Sequence, residues 1–352
     1  MFNDFMLVAD YILNFLSKKK VKNVFLLTGG AITFVVDAFS RNKKIKYTCV
    51  AHEQAAAMMA DSYSRLGPNF SATMCTSGPG ATNLITGIAC SWFDSIPALH
   101  ICGQVNRYEM TSGHPSTKNV RQVGFQETDI VTMAKPITKF SYQLKNENEI
   151  RYALEKAYYI SQTGRPGPVL LDIPMDLQRK KINPNKLKKF KPTKNSINTQ
   201  LLDKKIKTIY KLIQKSKRPT VIVGGGIRIS KTEINLKLLF DKLKIPIVTT
   251  WSGVDAISHD NKNYIGCIGV YGNRAANFTI QNSDFILSLG SRLDTRITGG
   301  VPKTFARDAT IASVDIDKNE LGKKRGLNID IKINNNLKDF FNRLEMVSKK
   351  FK

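Results

Sequence analysis

Val50 to Leu66 reads V-A-H-E-Q-A-A-A-M-M-A-D-S-Y-S-R-L, and the rest of the chain can be read outward from it. Residues 45–51, with Tyr47, Thr48, Cys49 and Val50, have strand character, and an alanine-rich segment of strong helix propensity begins directly after His52-Glu53. Glu53 therefore stands where a strand hands over to a helix. In an open α/β sheet that position is the mouth of the ligand crevice. A first-turn carboxylate is also favoured by the helix dipole alone, so an ordinary N-terminal helix charge is the plainer reading.

The flanking stretches repeat the arrangement. Residues 24–27 run as a strand into Thr28-Gly29-Gly30, and residues 71–75 run into Thr76-Ser77-Gly78-Pro79-Gly80. Three strand ends thus carry a polar or glycine turn before a helix, which implies a parallel sheet with helices on both faces. Four strings, L-L-T-G-G-A (26–31), H-E-Q-A-A-A-M-M-A-D-S-Y-S-R (52–65), T-S-G-P-G-A-T-N (76–83) and G-R-P-G-P-V-L-L-D-I-P (164–174), resemble the pyrimidine-binding domain of thiamine-diphosphate enzymes. The nearest likeness is to the acetolactate synthase large-subunit group. G-Q-V-N-R (103–107) and R-Q-V-G-F-Q-E-T-D-I-V (121–131) resemble the members associated with surface polysaccharides.

At 352 residues the chain is long enough for two domains with full cores. Its 42% hydrophobic and 23% charged residues are those of an ordinary globular protein, but its net charge of +26 is not. The lysines are dispersed, and no aromatic-basic stacking pattern, helix-turn-helix or zinc-finger spacing accompanies them. The charge is read as solvated lysine, with no nucleic-acid partner expected. Five cysteines without a C-x-x-C read as small apolar residues of a reducing, cytoplasmic location. Four scattered histidines form no metal-ligand cluster. Asp4 and Asp10 interrupt the apolar N-terminus, which fits an amphipathic helix over 5–18 better than a signal peptide, and no run approaches membrane-spanning length.

The first domain is expected over 1–179, with further helices over 32–40, 81–92 and 149–163, and strands over 98–102 and 169–173. Residues 106–129 lack periodicity and read as a long loop of the kind that carries function. The resemblance implies that Glu53 hydrogen-bonds a ring nitrogen of the cofactor's aminopyrimidine and so promotes removal of the thiazolium proton. It implies that Thr28, Gly29 and Gly30 let backbone approach the cofactor, with Thr28 standing where family members often have proline. Ser77, Gly78 and Asn83 belong to the turn beside the pyrimidine pocket, or to a plain helix entry. Phe125, Gln126 and Gln104 are implied as acceptor-pocket residues, a core or loop role being the alternative.

Residues 180–200, rich in Lys, Asn and Pro, read as an exposed linker, and 201–352 as a second Rossmann-like domain. There a strand over 220–223 ends in Gly224-Gly225-Gly226, followed by a helix over 231–243, strands over 245–249, 285–289 and 310–316, and a last helix over 337–347. Without a full G-x-G-x-x-G the glycine turn alone is a weak phosphate signal. G-C-I-G-V-Y-G-N-R-A-A-N (266–277), L-G-S-R-L-D-T-R-I-T-G (289–299) and D-I-D-K-N-E-L-G-K (315–323) resemble the family's central domain, which in some members holds FAD. The resemblance makes Arg292 and Arg296 pyrophosphate partners and gives Asp315 and Asp317 to ribose or adenine; surface ion pairing of Arg292, Asp294 and Arg296 is the alternative.

The fold class expected is α/β, two Rossmann-like parallel-sheet domains. The family's third domain, with a G-D-G and a following asparagine that hold Mg²⁺ and the cofactor's diphosphate, has no counterpart here, since no G-D-G occurs. A truncated reading, a split enzyme and a decayed copy are the explanations, the first preferred. The function expected is that of an acetolactate synthase-like transferase acting on pyruvate or a related 2-oxo acid, of the kind found in branched-chain amino acid biosynthesis. A homo-oligomer, dimer or tetramer, or a second chain would supply the diphosphate domain. The alternatives are a carboligase acting on a keto-sugar nucleotide and a non-catalytic FAD- or nucleotide-binding module.

Overall fold

The structure, a computed structural model, describes residues 5–66, 70–117, 119–193 and 198–348, without the side chains of residues 240, 242 and 348. Two compact units divide the chain, Met1–Lys194 and Asn195–Lys352. Residues 194–197 of the expected linker lie outside the described residues.

The strands of the first unit are β1 (Met6–Leu7), β2 (Asn23–Leu26), β3 (Lys46–Cys49), β4 (Ser71–Cys75), β5 (Ala98–Gln104), β6 (Phe140–Gln143), β7 (Val169–Pro174) and β8 (Lys181–Ile182). Six of them form an all-parallel sheet in the order β3-β2-β4-β5-β7-β6. Successive strand side chains point to opposite faces, and the packing follows that alternation. Val24, Leu26, Leu99, Ile101, Leu171 and Ile173 meet the helices Val8–Lys18 and Ile150–Gln162. Phe25, Cys75, Cys102 and Leu170 face the helices Glu53–Leu66, Ile85–Asp94 and Ile130–Ala134. Parallel strands buried on both faces read as near-continuous apolar runs, which is why they were visible in the sequence.

The second unit contains β9 (Pro219–Val223), β10 (Ile247–Thr249), β11 (Tyr264–Cys267), β12 (Phe285–Leu289), β13 (Thr310–Asp315) and β14 (Ile331–Asn334). Their order, β11-β10-β9-β12-β13-β14, is that of a dinucleotide-binding sheet, and all neighbours run parallel. The α/β class and the two Rossmann-like sheets are as the sequence led us to expect.

Differences lie at the margins. The first helix starts at Val8 because Met6–Leu7 instead pairs antiparallel with Lys181–Ile182. That pairing draws the start of the expected linker onto the first unit, where Ile182 and Leu187 join the core and Phe190 packs on Tyr152 and Tyr159. The helix expected over 81–92 is divided into Pro79–Asn83 and Ile85–Asp94. The loop after Gln104 folds into three 3₁₀ turns before the helix Ile130–Ala134.

His100 of β5 lies fully buried opposite Thr73, with Nδ1 2.8 Å from the threonine hydroxyl and Nε2 without a partner among the described residues. Burial pushes its pKa down to about 3. The unfolded chain therefore takes up a proton that the folded chain refuses, so this histidine's contribution is complete above pH about 6.5 and is lost as pH falls towards 3. Urea unfolding of wild type and His100→Phe across pH 4–7.5 should show the wild type losing ground to the variant as pH falls; a pH-independent difference would contradict the assignment.

Candidate functional site

In the first sheet the strand order reverses between β2 and β4, and ligands of open α/β sheets bind outside the carboxyl ends of strands at such a point. Glu53, Thr28 to Gly30 and Ser77 to Asn83 all follow strand ends on this edge: β3, β2 and β4 respectively. Glu53 is the first residue of its helix and only 5% exposed. One side-chain donor reaches it, the Asn83 amide, whose Nδ2 lies 2.9 Å from Oε2. Oε1 accepts no hydrogen bond among the described residues and lies against Gly80, where a Cβ would come within 3.1 Å of it. His52, exposed beside it, accepts the Gln54 N–H on Nδ1 at 3.2 Å and so belongs to the helix start.

The turns around Glu53 are fitted to one another by missing side chains. A Cβ on Gly29 would meet the Thr76 side chain at 2.5 Å, while Thr76 Oγ1 accepts the Ala31 N–H at 3.1 Å. Gly29 therefore serves the contact between the β2 and β4 turns, whereas nothing of the chain fills the place of a Gly30 Cβ. Thr28 is exposed and Ser77 buried. Gly78 has φ +62°, which only glycine adopts without cost, and a Cβ there would collide with Gln126 Cβ at 2.6 Å. Gln126, also at φ +62°, is thus pressed onto the turn that leads to Gly80 and Asn83. Gly80 is a site neighbour that the motif alone does not distinguish; its signal is a second glycine in the first turn of a proline-started helix.

The three residues expected to shape an acceptor pocket differ in their surroundings. Phe125 is 85% exposed, and Gln126 covers Gly78. Gln104 is almost fully buried: Nε2 donates to the Thr128 carbonyl at 2.8 Å and to Asp172 Oδ2 at 3.2 Å, and Oε1 accepts the Val105 N–H at 3.0 Å. Both ends of its amide are hydrogen-bonded inside the fold, which ties β5 to Thr128 and to Asp172.

In the second unit, Gly224 to Gly226 end β9 beside β12, again where the strand order reverses. Their lack of side chains is used by the chain itself, since Cβ atoms would strike Gly290 O at 2.2 Å, Ser252 Cβ at 2.9 Å and Gly290 Cα at 2.7 Å. The turn is a close crossing of two strand ends, with the Gly226 N–H donated to Gly290 O at 3.0 Å. Arg292 is half-exposed, its Nε 3.9 Å from Asp294 and 3.7 Å from Glu320. Arg296 donates to the Tyr271 hydroxyl at 3.0 Å and stacks over that ring, which Trp251 meets edge-on. Asp294 accepts the Arg296 N–H as a helix cap. Asp315 accepts the Asp317 N–H at 2.8 Å and Asp317 caps the helix Lys318–Gly322. Among the described residues no group of three or more His, Cys, Asp or Glu is placed to hold a metal ion, and no helix is long and apolar enough to cross a membrane.

A buried carboxylate losing its donor costs roughly 1–3 kcal/mol. Asn83→Ala should cost about that much in urea unfolding, and much less when Glu53→Gln is already present. Strict additivity of the two changes would mean that the 2.9 Å contact is without energetic weight.

Comparison with known proteins identifies the two units. Residues 6–133 match the family described as thiamine pyrophosphate enzyme, N-terminal TPP binding domain, and residues 206–344 match thiamine pyrophosphate enzyme, central domain. The chain is 37% identical over 324 residues to the acetolactate synthase large subunit of Cyanidium caldarium, covering 90% of this chain and 54% of that protein. It is 38% identical over 325 residues to that of Pyropia yezoensis, covering 90% and 53%. It is 36% identical over 331 residues to a probable acetolactate synthase large subunit of Methanococcus aeolicus, covering 92% and 52%. The chain spans about half the length of these curated relatives. With both of its sheets so matched, the chain belongs to the thiamine pyrophosphate enzyme family, of which it carries the N-terminal TPP-binding and central domains.

Proposed function

We propose that this chain is the pyrimidine-binding and central part of a thiamine-diphosphate-dependent carboligase of the acetolactate synthase type, acting on pyruvate or a related 2-oxo acid. The observation that carries the reading is Glu53: a carboxylate shielded from water at a strand-to-helix handover, held from one side by Asn83 and with Oε1 free to accept a further hydrogen bond. Those features fit the ring nitrogen of an aminopyrimidine. When bound, thiamine diphosphate supplies the electron sink for decarboxylation.

The chain's own residues do the rest. Glu53 accepts the hydrogen bond of the pyrimidine ring nitrogen and holds a proton on that atom, a task that exclusion of water favours. Asn83 fixes the carboxylate's rotation, and Gly80 keeps the approach to Oε1 clear. Gly30 leaves the β2 turn open to a ligand, and Gln126 seals the β4 turn at Gly78. The diphosphate and its Mg²⁺ would be held by a further domain or a partner chain, in a homo-oligomer or a two-chain assembly of the cytoplasm. The relatives are named for acetolactate synthesis, so pyruvate as both donor and acceptor comes first, with a place in branched-chain amino acid synthesis; a keto-sugar acceptor is the second outcome of the same screen.

In enzyme that includes a diphosphate-binding domain, pyruvate should yield acetolactate, and Glu53→Gln should abolish that turnover without unfolding the chain. No carboligation product from any 2-oxo acid, alone or with added carbonyl acceptors, would end the proposal.

FAD is the second cofactor in this reading. Arg292, whose ion-pair distances exceed hydrogen-bond length, and Arg296 are the groups that would meet its diphosphate, and Asp315 with Asp317 the groups nearest a strand end for its ribose. Protein purified with riboflavin-replete cells should carry visible flavin absorbance, diminished by Arg292→Ala; a colourless protein that takes up no added FAD would restrict the central domain to a structural role.

A further inference from the structure

Asp172 is the one carboxylate built into the middle of the first sheet. It sits on β7, paired with Cys102 of β5 on one side and Gln143 of β6 on the other, and is completely buried. Its Oδ2 accepts from Gln143 Nε2 at 2.8 Å and from Gln104 Nε2 at 3.2 Å, while Oδ1 is buried without a partner among the described residues. A carboxylate buried with one oxygen unpartnered among the described residues costs stability that some other demand must justify.

The demand is visible in where the Gln104 amide goes next. The same Nε2 donates to the Thr128 carbonyl, and Thr128 lies two residues beyond Gln126, which is pressed against Gly78. We propose that Asp172 is a positioning residue: its carboxylate orients Gln104, Gln104 anchors the segment Gly124 to Asp129 to the sheet, and that segment in turn sets the Gly78 turn beside Glu53. The inference rests on the site assigned above and adds to it the device that holds its β4 turn.

The anchor is pH-sensitive. Burial pushes the Asp172 carboxyl up to about 7. The charged and titratable groups around it are Asp129, which raises it, Lys145, which lowers it, and the thiol of Cys102 with Cys75 beyond, 3.6 Å apart. When ionised, the carboxylate makes the stronger, charge-assisted acceptor for Gln104. When protonated, it grips the amide less, and segment 124–129 loosens.

Amide hydrogen exchange of the folded chain, corrected for intrinsic rates, tests this without cofactor or turnover. In the wild type, peptides covering 124–130 should exchange about five- to tenfold faster at pH 6 than at pH 8, with a midpoint near 7. Asp172→Asn should exchange fast at both values. Gln104→Met, which cuts the link while leaving Asp172 ionisable, should do the same, and it carries the test if Asp172→Asn does not fold. A wild-type profile flat in pH, or one unaltered by Gln104→Met, overturns the proposal. Because Glu53→Gln should leave this pH step intact, loss of the exchange effect and loss of carboligation are separate failures.

Discussion

A carboxylate held away from water has to be compensated by its surroundings, and the crevice of the first sheet is arranged about that requirement at Glu53. The helix that begins with it offers its N-terminal dipole, Asn83 gives one hydrogen bond, and the other oxygen lies against Gly80, which has no side chain to crowd it. Each neighbouring turn is then shaped by its neighbour: Gly29 makes room for Thr76, and Gly78 for Gln126. Enlarging either of these glycines would force Thr76 or Gln126 to shift, so the geometry around Glu53 is a property of the neighbouring turns together.

The turns meet because the sheet brings them together. An all-parallel order that reverses between β2 and β4 puts their carboxyl ends, with that of β3, on one edge, and the candidate site residues lie in the segments that leave those ends. The second sheet repeats the logic with another outcome. At its own reversal point the space beside the glycines is filled by Gly290 and Ser252, and Arg292 stands in the turn after β12 and Asp315 at the end of β13. Similar topology thus leaves an open acceptor in one unit and a tightly crossed pair of strand ends in the other.

Much of this was legible in the sequence where burial on both faces enforces an apolar run. Leu99 to Gly103, Val169 to Leu171 and Phe285 to Leu289 could hardly be anything but central parallel strands. The edge strands β14 and β6 were not legible, although β3 was: Lys332 and Asn334 alternate with only two isoleucines in β14, and β6 is half-buried throughout. Nor could local reading pair Met6 with Ile182, since that bridge has no signal short of the whole fold. At the site, Glu53 was found because a charge directly after a strand end is conspicuous. The link between Gln104 and Asp172 was not legible, because a buried polar network is set by partners tens of residues away.

On the function proposed above, the Glu53 carboxylate is aimed at an aminopyrimidine whose proton it controls. The most direct measurement of that control is the rate at which the thiazolium C–H of bound thiamine diphosphate exchanges with deuterium, followed by NMR after acid quench, in enzyme that includes a diphosphate-binding domain. Exchange should slow by about two orders of magnitude or more in Glu53→Gln while the cofactor remains bound. Equal rates in the two proteins, with equal occupancy, would contradict the account.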